Sequence, residues 1–242
     1  MRILLLLSLM LFSITHSLPH YGVSLPPPPT EPSKPASSPY YPWRSRLASS
    51  ADHVDKTTLY SIARAAQNQG QTHFADYLRH YLGNTGRDAH VSVDEMLSAM
   101  PQFRAEVHAL ATFKAKLAYE SLMMTRPDES PVVPFTSFWH EFVATPDQSW
   151  DWFLSVGRFV YSVTGVVKLD DEETGGVSLH YAVHVFDYCD WDGGRDVRIG
   201  KFRFDEARLA GLQVTGLARE FKIRGSSQSR LVEGYTPIQG LK

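Results

Sequence analysis

The chain has 242 residues, 43% hydrophobic and 12% aromatic, a composition that fits a folded globular protein and excludes a disordered one. Its formal charge of −2 excludes nucleic-acid binding driven by a bulk basic field. A single cysteine, Cys189, excludes an intramolecular disulfide, so the fold must stand on its apolar core.

At the N-terminus, Arg2 precedes an apolar run over residues 3–14 that is too short to span a bilayer, and Thr15, His16 and Ser17 follow where a signal peptidase reads. The prediction is a secretory signal over residues 1–17 and a secreted, extracellular protein. No second apolar stretch reaches the ~18 residues of a transmembrane segment. Residues 18–52 form a proline-rich spacer, expected to be disordered. Pro26, Pro27, Pro28 and Pro29 are consecutive, and Pro32, Pro35, Pro39 and Pro42 follow. Such a stretch favours an extended polyproline conformation and cannot bury enough surface to fold alone. Arg44 and Arg46 read as a processing site for a basic-residue protease.

Residues 53–125 read as helical. Leu59, Ile62, Ala63 and Ala66, then Phe74, Tyr77, Leu78, Tyr81 and Leu82, recur at spacings of three and four, with Gly70 between the groups and Gly83 after them. Ser92 starts a third helix, and Pro101 stands in the first turn of a fourth that carries Phe103, Val107, Leu110, Phe113 and Leu117. His73 and His80 share a helix face but lack a third metal ligand at the next turn, which favours surface or boundary histidines. Residues 125–134, with three prolines, read as a linker.

Residues 135–242 read as β-rich. Trp150 and Trp152 in an aromatic-dense segment fit a core edge or a binding face, core being the simpler reading. Residues 158–169 are strand-like, and the acidic, glycine-bearing stretch 170–176 is a hairpin turn. Asp205, Glu206 and Ala207 begin a helix that ends near Gly216, and a last strand over residues 220–224 is closed by Gly225. The fold class is therefore α+β: an N-terminal helical half, then a mainly antiparallel β half of three or four strands with one helix.

The organising stretch is 179–200, LHYAVHVFDYCDWDGGRDVRIG. Alternation through Tyr181, Val183 and Val185 marks a strand covered on both faces, and it runs into Asp187, Asp190, Asp192 and Asp196 around Gly193 and Gly194. Three readings fit four carboxylates there. They cap backbone amides in a polar turn. They bind a hard divalent cation, Ca2+ or Mg2+, through Asp187, Asp190, Asp192 and Asp196. Or they form a catalytic centre in which Asp187 and Asp190 activate water against a phosphate ester, with His184 (or His180, on the same side of the strand) carrying the proton. Cys189, between aspartates, has its thiolate disfavoured and reads as a small buried hydrophobe. Arg219 and Glu220 read as an internal salt bridge.

The segments GRFVYSVTGVV, YAVHVFDYCDWDGG and GLAREFKIRGSS resemble a family of exported bacterial proteins of unassigned activity. In that family a helical half with a motif like FADYLRHYLGNTG precedes a β-rich half bearing a D-x-Y-D/N-W-D/N-x-G loop. The similarity spans about residues 60–230. The same stretch is distantly similar to the catalytic domain of colicin M-type bacteriocins, which cleave the lipid-linked precursor of peptidoglycan. That domain carries a D-x-Y-D motif on a β-rich scaffold, with a His-Arg pair further on. Asp187 and Asp190 fall on its two aspartates, Cys189 replaces the tyrosine, and Asp196-Val197 stands where His-Arg would fall. The resemblance implies a toxin-like hydrolase of a phosphate-bearing cell-envelope precursor, directed at a cell-surface or cell-envelope target of another organism. Arg195, Arg198 and Trp191 are the expected substrate contacts. The alternative is a non-catalytic secreted effector or binding protein acting through its aromatic-rich β half.

Overall fold

The computed structural model describes residues 23–34, 42–124, 132–171, 176–189, 196–199, 202–238 and 241, with 171, 196–199 and 202–206 described by their backbone alone. The expected signal at 1–17 lies outside the described residues. The fold is α+β, helices first and sheet second.

Helix α1 (Ser50–Asn68) starts earlier than its apolar spacing indicates, because Ser49 and Asp52 form a reciprocal capping box that satisfies the first free amides. Its buried stripe is Leu59, Ile62, Ala63 and Ala66, and Gly70 at φ 83 lets the chain reverse. Helix α2 (Thr72–Leu82) buries Phe74, Tyr77, Leu78, Tyr81 and Leu82. A two-residue strand, β1 (Ala89–His90), precedes α3 (Val93–Ala99), capped by Ser92, and α4 (Pro101–Met124), which begins on its proline.

The second half comprises β2 (Val132–Thr136), β3 (His140–Val143), α5 (Trp150–Ser155), β4 (Arg158–Asp171), β5 (Gly176–Cys189), β6 (Asp196–Ile199), β7 (Phe202–Asp205), α6 (Glu206–Thr215), β8 (Phe221–Ser226) and β9 (Arg230–Val232). The main sheet runs β1-β8-β5-β4-β2, with β3 also beside β4 and β9 also beside β5; β6 and β7 form a separate hairpin. All pairings are antiparallel except β1 with β8.

The sheet therefore has more strands than the sequence pattern indicates. β1 sits inside the helical half and pairs in parallel with the far end of the chain, a contact no local period reports. β2 arises in the stretch read as a linker; as an edge strand it tolerates Pro134. β8 runs past Gly225, which its glycine permits: a Cβ there would overlap the Val91 carbonyl of the segment entering α3.

Strand alternation divides the sheet into two faces. Leu179, Tyr181, Val183 and Val185 of β5, with Phe159, Tyr161 and Val163 of β4, belong to the core shared with the helices. Phe103 of α4 anchors that core, its ring 5.0 Å from Phe142, 5.1 Å from Phe159 and 5.3 Å from Tyr161. Burying such a ring contributes about 1.5–3 kcal/mol relative to exposing it. Trp152 joins the core and Trp150 stays part-exposed, so the two tryptophans divide between the two readings. The opposite face of β5 presents Ser178, His180, Ala182, His184, Phe186 and Tyr188, all described and none freely exposed.

Candidate functional site

β5 is the longest element of the β half together with β4, and it carries the expected site residues outward. His184 and Asp187 lie three residues apart in unbroken register with β8, so their side chains leave opposite faces of the sheet. The structure does not bring these two together. Asp187 goes to the helix side, where its Oδ1 accepts from the Tyr188 amide at 2.8 Å. On that side burial, and with it the nearby Asp187 carboxylate, pushes the Tyr77 phenol of α2 well up from its ordinary value. Cys189 is buried, as its acidic neighbours and apolar strand indicate.

Asp190, Trp191, Asp192 and Arg195 lie outside the described residues, and Asp196 and Arg198 are placed by backbone only, on β6. Of the four expected cation ligands, only Asp187 has a described side chain. Among the described residues, no three His, Cys, Asp or Glu side chains gather as a metal would require.

His184 sits in a polar seam that ties three strands. Its Nε2 is 2.9 Å from the Thr164 hydroxyl on β4, and its Nδ1 is 2.8 Å from the Ser226 hydroxyl on β8. Burial pushes its pKa below the ordinary histidine value, so the ring is neutral at pH 7 and takes one hydrogen bond while giving the other. Its partner across β4, Ser162, is fully buried with a hydroxyl that finds no partner among the described residues.

This seam opens into a cavity of about 290 Å3, with Trp139, His184, Phe186, Arg224 and Ser226 on one side and Pro28, Pro29 and Glu31 on the other. The residues that sequence reasoning missed are here. Tyr188 pairs with Lys222, Phe186 with Arg224 and His184 with Ser226, so β8 lays two cations and a hydroxyl beside two aromatic rings. The Lys222 ammonium lies 5.8 Å from both the Phe186 and Tyr188 ring centroids, and Phe186 and Tyr188 meet edge to face at 5.1 Å. The signal was present in EFKIRGSS: Lys222, Arg224 and Ser226 alternate with Phe221 and Ile223, which marks one charged face and one core face.

The proline-rich stretch does not stand clear of the domain. Its described residues 23–34 are without helix or strand and lie against this face, and its last residues, 50–52, belong to α1. Trp139 Nε1 donates to the Thr30 carbonyl at 2.9 Å and the Tyr188 hydroxyl donates to the Pro32 carbonyl at 3.2 Å. The Glu31 carboxylate takes Arg224 side-on, at 2.7 Å from Nε and 3.1 Å from its terminal nitrogen, and Lys222 at 3.0 Å. Lys34 reaches Glu220 at 3.2 Å, and the Arg219 guanidinium lies 4.5 Å from the Trp43 ring. Arg219 and Glu220 thus both meet the N-terminal segment, Glu220 through a salt bridge and Arg219 through a ring contact.

No family model and no curated protein matches the chain. A solved structure to which it is similar is that of PaeM, a colicin M-like bacteriocin produced by Pseudomonas aeruginosa. The likeness has 16% sequence identity and a TM-score of 0.36, and covers 67% of this chain and 51% of the bacteriocin. The chain thus aligns with about half the length of that protein.

Proposed function

We propose that this is an exported toxin-like protein that hydrolyses a phosphate-bearing precursor of the cell envelope, and that the phosphate is held on the strand face formed by β5 and β8. The observation that carries this reading is the pairing of Lys222 and Arg224 with Tyr188 and Phe186 in adjacent register. Two cations beside two rings suit a ligand that is anionic at one end and apolar at the other, which a lipid-linked phosphate is. This pair joins the substrate contacts expected at Arg195 and Arg198, whose side chains lie outside the described residues.

Asp190, which follows β5 directly, is the carboxylate assigned to the reaction. It takes a proton from water as the water oxygen attacks phosphorus; the bond from phosphorus to the bridging oxygen breaks, and the leaving group takes up a proton from solvent. Asp187, directed to the helix side, is a positioning residue that braces the end of β5 through the Tyr188 amide. His184 stays neutral behind Ser226 and holds the cavity wall. Asp187 leaves by the face opposite the cation pair, so a Ca2+ or Mg2+ ion in this proposal is held by Asp190, Asp192 and Asp196, with Trp191 as a further substrate contact.

The test is export of the full chain to the periplasm of a susceptible bacterium. Wild type should arrest growth, while Asp190→Ala and the pair Lys222→Ala with Arg224→Ala, exported at equal levels, should not. Equal growth arrest by Asp190→Ala would favour a non-catalytic binding protein acting through its aromatic β half.

A further inference from the structure

Prolines fix φ near the polyproline value and have no amide donor, so a run such as residues 26–34 offers neighbours mainly its carbonyls and its few side chains. Both kinds of group are read here. Indole and phenol donors take the carbonyls of Thr30 and Pro32, two residues apart, which is how aromatic grooves grip extended proline-rich chains. Between those two carbonyls, Glu31 places its carboxylate on Lys222 and Arg224 together. Pro28, Pro29 and Glu31 also line the cavity described above.

A carboxylate gripped side-on by a guanidinium and end-on by an ammonium has the geometry of a bound phosphate oxygen pair. Glu31, Lys222 and Arg224 are each only partly exposed, at 35%, 36% and 44% of their side chains. The contact is therefore within reach of solvent, as an exchangeable one must be. Arg224 also meets Asp88 at 2.9 Å, so releasing Glu31 does not leave the guanidinium without an acid.

We propose that the face of β5 and β8 is a ligand groove for an anion carried on an apolar chain, and that residues 26–34 are its built-in competitor, with the Glu31 carboxylate standing where the ligand's anionic group binds. The proposal rests on the reading of Lys222 and Arg224 as the phosphate-binding pair and adds its regulation: the proline-rich segment must leave before ligand enters.

The experiment uses the full chain after signal removal and inorganic pyrophosphate as probe, followed by calorimetry at low salt. Glu31→Gln should bind pyrophosphate at least ten-fold more tightly than wild type, and adding Lys222→Ala to it should remove the gain. The Trp139 indole proton resonance, which reports the bond to Thr30, should shift in Glu31→Gln as pyrophosphate saturates it. Thermal unfolding of Glu31→Gln within a few degrees of wild type confirms that the fold is retained. Equal binding by wild type and Glu31→Gln would overturn the competitor while leaving the phosphate-binding pair standing. Absence of binding in both would overturn the pair, and the competitor with it.

Discussion

Asp151→Ala removes one carboxylate and four favourable contacts with it. Asp151 lies on α5, yet its oxygens accept from the backbone amides of Phe74 at 2.9 Å and His73 at 3.1 Å, in the first turn of α2, and from the His73 ring at 2.8 Å. Its Oδ1 also stands 3.4 Å from the Ser155 hydroxyl. α2's own capping residue, Gln71, makes no side-chain bond to the helix, so Asp151 caps it from a different element. Losing a cap costs about 0.5–2 kcal/mol, and losing a charge-assisted hydrogen bond about 1.5–3 kcal/mol. The side chains are 17% and 32% exposed, which places the sum near the lower ends, about 2–3 kcal/mol. For a domain of this size that lowers the melting temperature by about 5–10 °C. Asp151→Asn keeps an acceptor for one amide and should lose about half as much. Urea unfolding followed by circular dichroism measures both. A loss under about 0.5 kcal/mol in Asp151→Ala, or equal losses in the two variants, would refute the capping argument. The effect reaches the candidate site, because α2 carries Tyr77 against the end of β5 that bears Asp187.

Three further outcomes are expected. Hydrogen bonding to Asp151, then to Glu95, raises the His73 pKa above its ordinary value, so its contribution is complete below about pH 6.5 and is lost as pH rises through the folded value; in His73→Gln, the decline in the urea midpoint above pH 6.5 should vanish. Burial lowers the pKa of His184, so its sign is opposite: the unfolded chain binds the proton more readily and stability falls as pH drops below about 6.5, a loss that His184→Gln should reduce. Gly225→Ala drives a methyl group into the Val91 carbonyl and should cost about 1–3 kcal/mol while moving Arg224 and Ser226, readable as unfolding free energy together with weakened pyrophosphate binding.

The helical half was legible because each device is local. Ser92, Pro101 and Gly70 act within a turn of themselves, and so does the apolar spacing of α1 and α2; in α4 the buried stripe continues from Phe103 and Val107 through Ala111, Ala115 and Ala118, while the expected Phe113 and Leu117 are exposed. The sheet was legible only where strands are long: β4 and β5 carry a clear alternation, whereas β1, β2 and β9 gain their structure from partners distant in the chain. β5 as the organising element was legible, but its face assignment was not used. Counting by two from Val185 sends Asp187 to the core side and His184 to the other, which separates a pair that proximity in sequence had joined. The cation pair was overlooked because Lys222 and Arg224 look like an ordinary solvated strand face until Glu31 is placed upon them. No reading of the proline run alone could place it there, since its carbonyl acceptors are common to every extended chain.

The most direct measurement is phosphorus NMR of a polyprenyl-diphosphate-linked cell-wall precursor incubated with the purified chain carrying Glu31→Gln, with Mg2+ or Ca2+ present. The account predicts new phosphate resonances from a cleaved ester, absent when Asp190→Ala is added. A precursor spectrum unchanged under every condition, or the same products from the Asp190→Ala variant, would contradict it.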